Sequence, residues 1–344
     1  MEKKRYAWID IAKALGIILI VVGHGLNYKH VSFKYIYWFH VPLFFIISGT
    51  LHTQHDSIYS FISRRFKHLM VPYCTYLLIY VVFMSIGICG EIPIYKILLG
   101  GKFLINTNLA IYWFVPCLLA TQIVSFLILK IDSVFMRFCT VIIFYLGAII
   151  LQYIFTDTFG YFMFNSYFSN NTIILPLSFE VVPMAVVFYV MGFSLAKSKL
   201  QLSGILTIAL AVFFGFIIYL DNKRIIDIPH YVMYLQQYSL PIINIILPAG
   251  CFLIIRQLSI SIEKHSVLRG VFMSIGQASM TILFTHVILA NGFIYLLYVF
   301  FDYKVAEPQV TFLWIILGLI LPYLAYSFFK PFSLTRKFFL GISD

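Results

Sequence analysis

Ten apolar runs dominate the chain, at about 8–26, 35–52, 69–89, 110–130, 135–155, 177–196, 203–220, 239–258, 273–301 and 309–329. A helix needs about 20 apolar residues to cross a hydrocarbon core of about 30 Å, and most of these runs reach that length. Backbone polar groups in hydrocarbon must be satisfied internally, which leaves helices or closed barrels. Runs of this length select helices, so the expected fold is all-α and polytopic, with about ten transmembrane helices. Composition agrees: 62% of the 344 residues are hydrophobic and only 11% charged. A soluble domain usually carries about 25% charged residues. Mean hydropathy is +0.95. No polar stretch is long enough to fold apart from the spans, so residues 1–344 are expected to form a single integral-membrane domain. The start, MEKKR before an apolar run, resembles a signal peptide. The run is too long for one, contains Lys13 and has no clear small-residue cleavage site, so it reads as an uncleaved first span.

The net charge of +11 raises the question of nucleic acid. The Lys and Arg residues sit in short connections between apolar runs and form no basic face, which argues against it. Counted by connection, with the N-terminus inside, sixteen fall on the inner side and seven on the outer, Lys13 lying within a span. The positive-inside bias therefore predicts cytoplasmic N- and C-termini and a multi-pass protein of the plasma or inner membrane. The five cysteines lie in or beside apolar runs without metal-type spacing, so no metal is expected. The longest outer connections, 156–176 and 221–237, mix aromatics with Asn, Gln and Asp. Such residues serve an interfacial belt or line a carbohydrate site. Gly100-Gly101 predicts a bend, and IDSV between the fourth and fifth runs predicts a tight helical hairpin.

Ionisable groups inside spans are costly and need explaining. The first run, WIDIAKALGIILIVVGHG, holds Asp10, Lys13 and His24. Lys13 and His24 are separated by three helical turns plus roughly 20°, which places them on one face roughly 16.5 Å apart. Asp10, one turn before Lys13, falls near the same face. An imidazole titrates near neutrality and can take a proton from an attacking alcohol, so His24 is the candidate general base. Asp10 and Lys13 would face the inner side, either as a charged pair toward a substrate or as an anchor at the headgroups. In FISRRFKHLMVPY (61–73), Arg64, Arg65, Lys67 and His68 cluster before the third run. They read equally as a topology signal contacting anionic lipid or as a binding site for phosphates. The second run, WFHVPLFFIISG, carries His40 near its outer end, a bend at Pro42, and Ser48-Gly49, which permits close approach of a neighbour. His40 can stand beside His24 if the two helices are adjacent. GQASMTILFTHVIL (276–289) puts His286 in the ninth run, and Glu180 lies at the outer end of the sixth.

These motifs together resemble the acyltransferase-3 family of bacterial integral-membrane acyltransferases, and within it the fucose-acetylase-like O-acetyltransferases of surface sugars. The resemblance rests on Lys13 through His24 with Asp10 ahead, on FHVPLFFIISG, and on RRFKHLMVPY. It also rests on YWFVPCLLATQ with Trp113, and on SMTILFTHVIL with His286. Lys13 stands where the family more often has Arg. Aligned on Pro72, Arg65 matches the first Arg of the family's Arg-x-x-Arg, and His68 replaces the second. The resemblance implies transfer of an acyl group, usually acetyl, from cytoplasmic acyl-coenzyme A. The acceptor it implies is a hydroxyl of a surface or secreted glycan or of its lipid-linked precursor. Some members succinylate glucans or acylate antibiotics.

The expected site thus has His24, Lys13 and Asp10 as catalytic residues and Arg64, Arg65, Lys67 and His68 at the coenzyme A phosphates. His40, Ser48, Trp113, Glu180 and His286 support it. No cofactor is expected to be permanently bound; acetyl-CoA is a substrate. Expected partners are the glycan or lipid-linked sugar, acyl-CoA and membrane lipids, with no nucleic acid and room for a homo-oligomer. Two rivals stand beside this reading. One is a transporter or flippase of an acyl donor or lipid-linked sugar; the other is an acyltransferase acting on a small molecule or peptide.

Overall fold

The computed structural model describes residues 6–26, 31–53, 57–86, 90–105, 107–159, 175–198, 202–229, 231–236, 238, 240, 242–301 and 307–342. Most of the predicted loop at 156–176 and the charged residues Lys3, Lys4, Arg5, Lys29, Lys199 and Lys304 lie outside them, as does Cys89. Among the described residues there is no strand. The α-helices are α1 (Ala7–Gly25), α2 (Val31–Tyr37), α3 (His40–Thr50), α4 (Ile58–Ser85), α5 (Ile94–Leu99), α6 (Phe114–Leu129) and α7 (Val134–Phe159). They continue as α8 (Val182–Lys197), α9 (Gly204–Asn222), α10 (Ile243–Glu263), α11 (Ser266–Gln277), α12 (Ser279–Phe301), α13 (Glu307–Phe329) and α14 (Ser333–Leu340). By length and composition, nine helices among the described residues can cross a membrane. They are α1, α4, α6, α7, α8, α9, α10, α12 and α13, with 3-10 turns leading into α6 and α8.

The apolar run at 35–52 is not one helix. It is broken at Trp38-Phe39 into α2 and α3. Pro42 explains the break, because its ring clashes with the carbonyl four residues earlier, that of Trp38, and it has no N–H to donate. His40 then caps the end of α2, its Nδ1 donating to the Ile36 carbonyl at 2.9 Å. The ninth run also divides, into α11 and α12, at Ala278. The third starts eleven residues earlier than hydropathy places it. With 28 residues α4 is about 42 Å long, roughly 12 Å more than the hydrocarbon core. The excess is its polar start, capped by Ser57, whose side chain accepts from the Ser60 N–H at 3.3 Å. The fifth run extends as α7 to Phe159, so 156–159 belong to a helix rather than a loop. The predicted hairpin between α6 and α7 is present, with Ser133 Oγ accepting from the Met136 N–H and Arg137 Nε donating to the Ile131 carbonyl.

The chain forms two compact units, each gathered from separate stretches. The first comprises Met1–Ile47, Ser198–His230 and Ile242–Pro331. Here α1 is the central helix and packs against α10, α11, α12 and α13. Gly276 of α11 lies so close to the Asp10 carbonyl that any side chain there would strike it. A strap of polar groups ties α2 to the end of α9: Asp221 accepts from Lys34 Nζ (2.9 Å), Tyr35 Oη (3.0 Å) and the Ile228 N–H (2.9 Å).

The second unit comprises Ser48–Lys197, Tyr231–Pro241 and Phe332–Asp344. Its core is α6 on α8, with α4 against α6, α7 against α8 and α14 along α4. The close approach expected at Ser48-Gly49 is here. Gly49 abuts the Tyr189 backbone of α8, and Gln122 Nε2 of α6 donates to Ser48 Oγ at 2.8 Å. The Gly100-Gly101 bend is real, both residues having positive φ.

Candidate active site

α1 carries the ionisable line that its spacing predicts. Toward its start, Lys13 Nζ is 3.7 Å from Asp10 Oδ1, and Asp10 is buried. Three turns on, His24 meets His286 of α12: His24 Nδ1 and His286 Nε2 are 2.8 Å apart, with the rings 15° from parallel. The direction of that bond follows from the far side of His286. Its Nδ1 lies 2.8 Å from the Ile282 carbonyl and 3.1 Å from that of Leu283, and a carbonyl only accepts. Nδ1 of His286 therefore holds the proton, and in the neutral ring its Nε2 is the acceptor. His24 must then donate from Nδ1, which leaves its own Nε2 with a lone pair. Among the described residues that Nε2 has no hydrogen-bond partner. His286 is fully buried while His24 is half-buried.

The packing around the pair is aromatic. Trp314 of α13 stands edge-on to His286 at 6.0 Å and is itself held by Asn291, which accepts from Nε1 at 2.7 Å. Tyr37 lies 6.5 Å from the His24 ring and 4.4 Å from that of His40. His40, expected beside His24, thus sits in the same surroundings, buried and bonded to Ile36 rather than to His24.

The remaining candidates lie in the second unit. At the end of α6 and α8 where their chains start, Trp113 stacks on Tyr234 at 5.8 Å. There too Glu180 forms a buried ion pair with Lys102 at 3.4 Å. Lys102 Nζ also donates to Gln236 Oε1 (3.0 Å), and Gln236 Nε2 donates to the Glu180 carbonyl (3.1 Å). Burial lowers the Lys102 pKa, and the facing Glu180 carboxylate opposes that shift. Three non-glycine residues near this pair, Leu177, Ser178 and Gln236, have φ near +57°, a conformation that costs of order 1–3 kcal/mol each. Lys102 and Gln236 escaped the sequence reading because one counted as a loop charge and the other as a loop amide.

At the opposite end of α6 and α8, about 24 Å away, the groups are cationic and aromatic. Of the four cations expected at α4, Arg64, Lys67 and His68 are exposed, and His68 Nδ1 donates to the Gly341 carbonyl beyond α14 at 3.0 Å. Arg65 turns inward, 5.3 Å over the Phe61 ring. Beside it His52, just past α3 and unremarked in the sequence, has its Nδ1 2.9 Å from Tyr189 Oη. His52 lies outside the nine candidate spans. Burial first, then Arg65 and Lys197, pull its pKa down to about 4. Among the described residues no group of His, Cys, Asp and Glu is arranged to hold a metal ion.

Long apolar helices, two of them joined by the His24–His286 hydrogen bond, define a multi-pass membrane protein. A family model described as an acyltransferase domain matches residues 6–327, and the chain belongs to the acyltransferase-3 family. It is therefore a membrane acyltransferase. No curated protein and no solved structure matches it.

Proposed function

We propose that the protein is an O-acetyltransferase of the plasma membrane. It moves an acetyl group from cytoplasmic acyl-coenzyme A to a hydroxyl of a cell-surface or secreted polysaccharide, or of its lipid-linked precursor. The observation that carries this reading is the His24–His286 pair, whose bonding leaves one nitrogen of His24 as a bare base in a chain of acyltransferase lineage. His24 Nε2 takes the proton of the acceptor hydroxyl as its oxygen bonds to the thioester carbonyl carbon. When the carbon–sulfur bond breaks, the same proton passes to the departing sulfur, giving an acetyl ester and free coenzyme A. His286 keeps Nδ1–H of His24 engaged throughout and steadies the imidazolium, the part a carboxylate plays in hydrolase triads.

Lys13, roughly 16.5 Å along the helix from His24, and Asp10, roughly 21 Å, are too far to touch the same carbonyl. They serve the donor rather than the bond being made. With both termini in the cytoplasm, as the loop charges favour, the Asp10–Lys13 end faces the donor and His24 the acceptor. By the same loop charges the polar start of α4, with Arg65, lies on the cytoplasmic side, where its cations suit a donor's phosphates. Those charges put Trp113 and Glu180 toward the outer side of the membrane. Purified protein in detergent, given labelled acetyl-coenzyme A and oligosaccharides of the host surface glycan, should yield an acetylated sugar. His24→Ala, at normal membrane levels, should lose that product by at least about a hundredfold. Undiminished acetylation by His24→Ala overturns the assignment of the base, and no acetylated product from wild type favours transport instead.

A further inference from the structure

His24 has a glycine on each side, Gly23 and Gly25, and each admits an aromatic ring from a neighbouring helix. A Cβ at Gly23 would lie 3.3 Å from the Tyr37 ring of α2, and one at Gly25 would lie 2.9 Å from the Trp314 indole of α13. Successive residues of a helix are turned by about 100°, so the two rings close on α1 from either side of His24. Both are held from behind. Asn291 accepts from Trp314 Nε1 at 2.7 Å. Phe33 stacks on Tyr37 at 3.9 Å, and Lys34 and Tyr35 of the same helix donate to Asp221 at 2.9 and 3.0 Å. Tyr37, Trp314 and His24 are each half-buried, so none of the three is sealed inside the protein.

We propose that Tyr37 and Trp314 are two walls of a site that takes a pyranose ring and presents one of its hydroxyls to His24 Nε2. The C–H groups on a pyranose face carry partial positive charge, and an aromatic face carries the negative lobe of its quadrupole, so the two stack. The hydroxyls project from the rim of the sugar ring, clear of the walls, where the polar base between them can fix the orientation. The ordinary alternative is that the rings belong to an interfacial belt or only pack helices together. A belt residue points toward the headgroups, whereas these rings are laid against α1 on the glycines beside the base. Close packing at the same glycines is already supplied by Ile36 and Ile315, 3.2 and 2.6 Å from the positions a Cβ would take. The walls select by shape, because a ring-free polyol offers hydroxyls to His24 but no face to stack. The sugar as acyl acceptor rests on the acetyl-transfer reading above; recognition of its ring by the two walls does not.

The test uses full-length protein in nanodiscs of neutral phosphatidylcholine, with methyl β-glucoside and methyl β-galactoside as pyranose probes and glycerol as the ring-free polyol. Binding is read without turnover, by saturation-transfer NMR on His24→Ala protein in the absence of donor. The glycosides should bind, with transfer stronger to the ring C–H protons than to the methoxy group. In that background Tyr37→Leu and Trp314→Leu should each weaken binding by about tenfold. Tyr37→Phe, which keeps the ring face and loses only the hydroxyl, should weaken it less than about threefold. Asn291 is exposed, so Asn291→Leu leaves the fold intact while releasing the indole, and should weaken binding by about threefold. The second readout is acetyl transfer with His24 present. The ratio of kcat/KM for glycoside to that for glycerol should fall about tenfold in either leucine variant, with the half-saturating acetyl-coenzyme A shifted less than about threefold. Unfolded protein lowers both acceptors alike, so the ratio reports the folded fraction alone, and an unchanged ratio overturns the proposal. So does an absence of glycoside binding by His24→Ala protein, or equal binding by its leucine variants. Wall-dependent glycoside binding without any acetylated product leaves the walls standing and removes the acetyl-transfer reading.

Discussion

At the scale of single residues, the deciding feature is which nitrogen holds each proton. The alignment of Lys13 with His24 follows from helical spacing and was legible without coordinates. The partnership of His24 with His286 was not, because a separation of 262 positions says nothing about which helices adjoin. His52 was missed for another reason: a histidine at the end of an apolar run reads as a boundary residue until its ring of aromatics is seen. The bond order Ile282, His286, His24 makes a specific demand on activity. His286→Ala removes the acceptor of the His24 Nδ1–H, so the ring is free to turn or to change tautomer. Turnover should fall by about a hundredfold to a thousandfold, with the half-saturating concentration of acetyl-coenzyme A shifting less than about threefold. His286→Gln, whose amide oxygen can accept the same proton, should recover part of that loss. Steady-state kinetics over a range of donor concentrations checks both, and a change confined to the half-saturating concentration would make His286 a binding residue instead.

At the scale of elements, proline and glycine decided what hydropathy did not resolve. The second run looked continuous because its residues are apolar throughout, yet Pro42 parts α2 from α3. The third run was placed late because the start of α4 is polar, although a helix does not stop where hydrocarbon does. The meeting of α1 with α11 gives a matched pair of substitutions on one helix. Gly276 faces the Asp10 carbonyl with no room for a methyl group, whereas Gly270 has open space where its Cβ would be. Gly276→Ala should therefore destabilise the fold by about 1–3 kcal/mol through forced separation of the helices. Gly270→Ala should be neutral or stabilising by up to about 1 kcal/mol, as expected for alanine in a helix interior. Thermal unfolding in one detergent measures both. Equal midpoints for the two variants would show that α1 and α11 do not meet at Asp10, and would remove the support for that carboxylate's buried position.

At the scale of the whole molecule, the parity of membrane crossings decides which end of α1 meets the donor. Among the described residues, nine helices are long enough to cross alone. If only they cross, the chain's two ends fall on opposite sides, and the charge count that favours an inner N-terminus is scrambled after α1. The stretch 31–50 resolves this if α2 and α3 cross together as one broken span. Its twenty residues reach roughly 30 Å when helical, which matches the core thickness. A buried His40 and a break in backbone bonding are tolerable there only against protein, and the Ile36 carbonyl at the break is in fact taken by His40. The expected outcome is that Tyr6 and Ser57 share one side. Single cysteines in a background with the native five replaced by serine test it. Tyr6→Cys, Ser57→Cys, Asp132→Cys and Ile342→Cys should react with a membrane-impermeant maleimide only after the cells are opened. Lys223→Cys should react in intact cells. If Ser57→Cys is labelled in intact cells while Tyr6→Cys is not, the stretch 31–50 does not cross. The start of α4, Arg65 included, would then face outward, and a cytoplasmic nucleotide could not reach it.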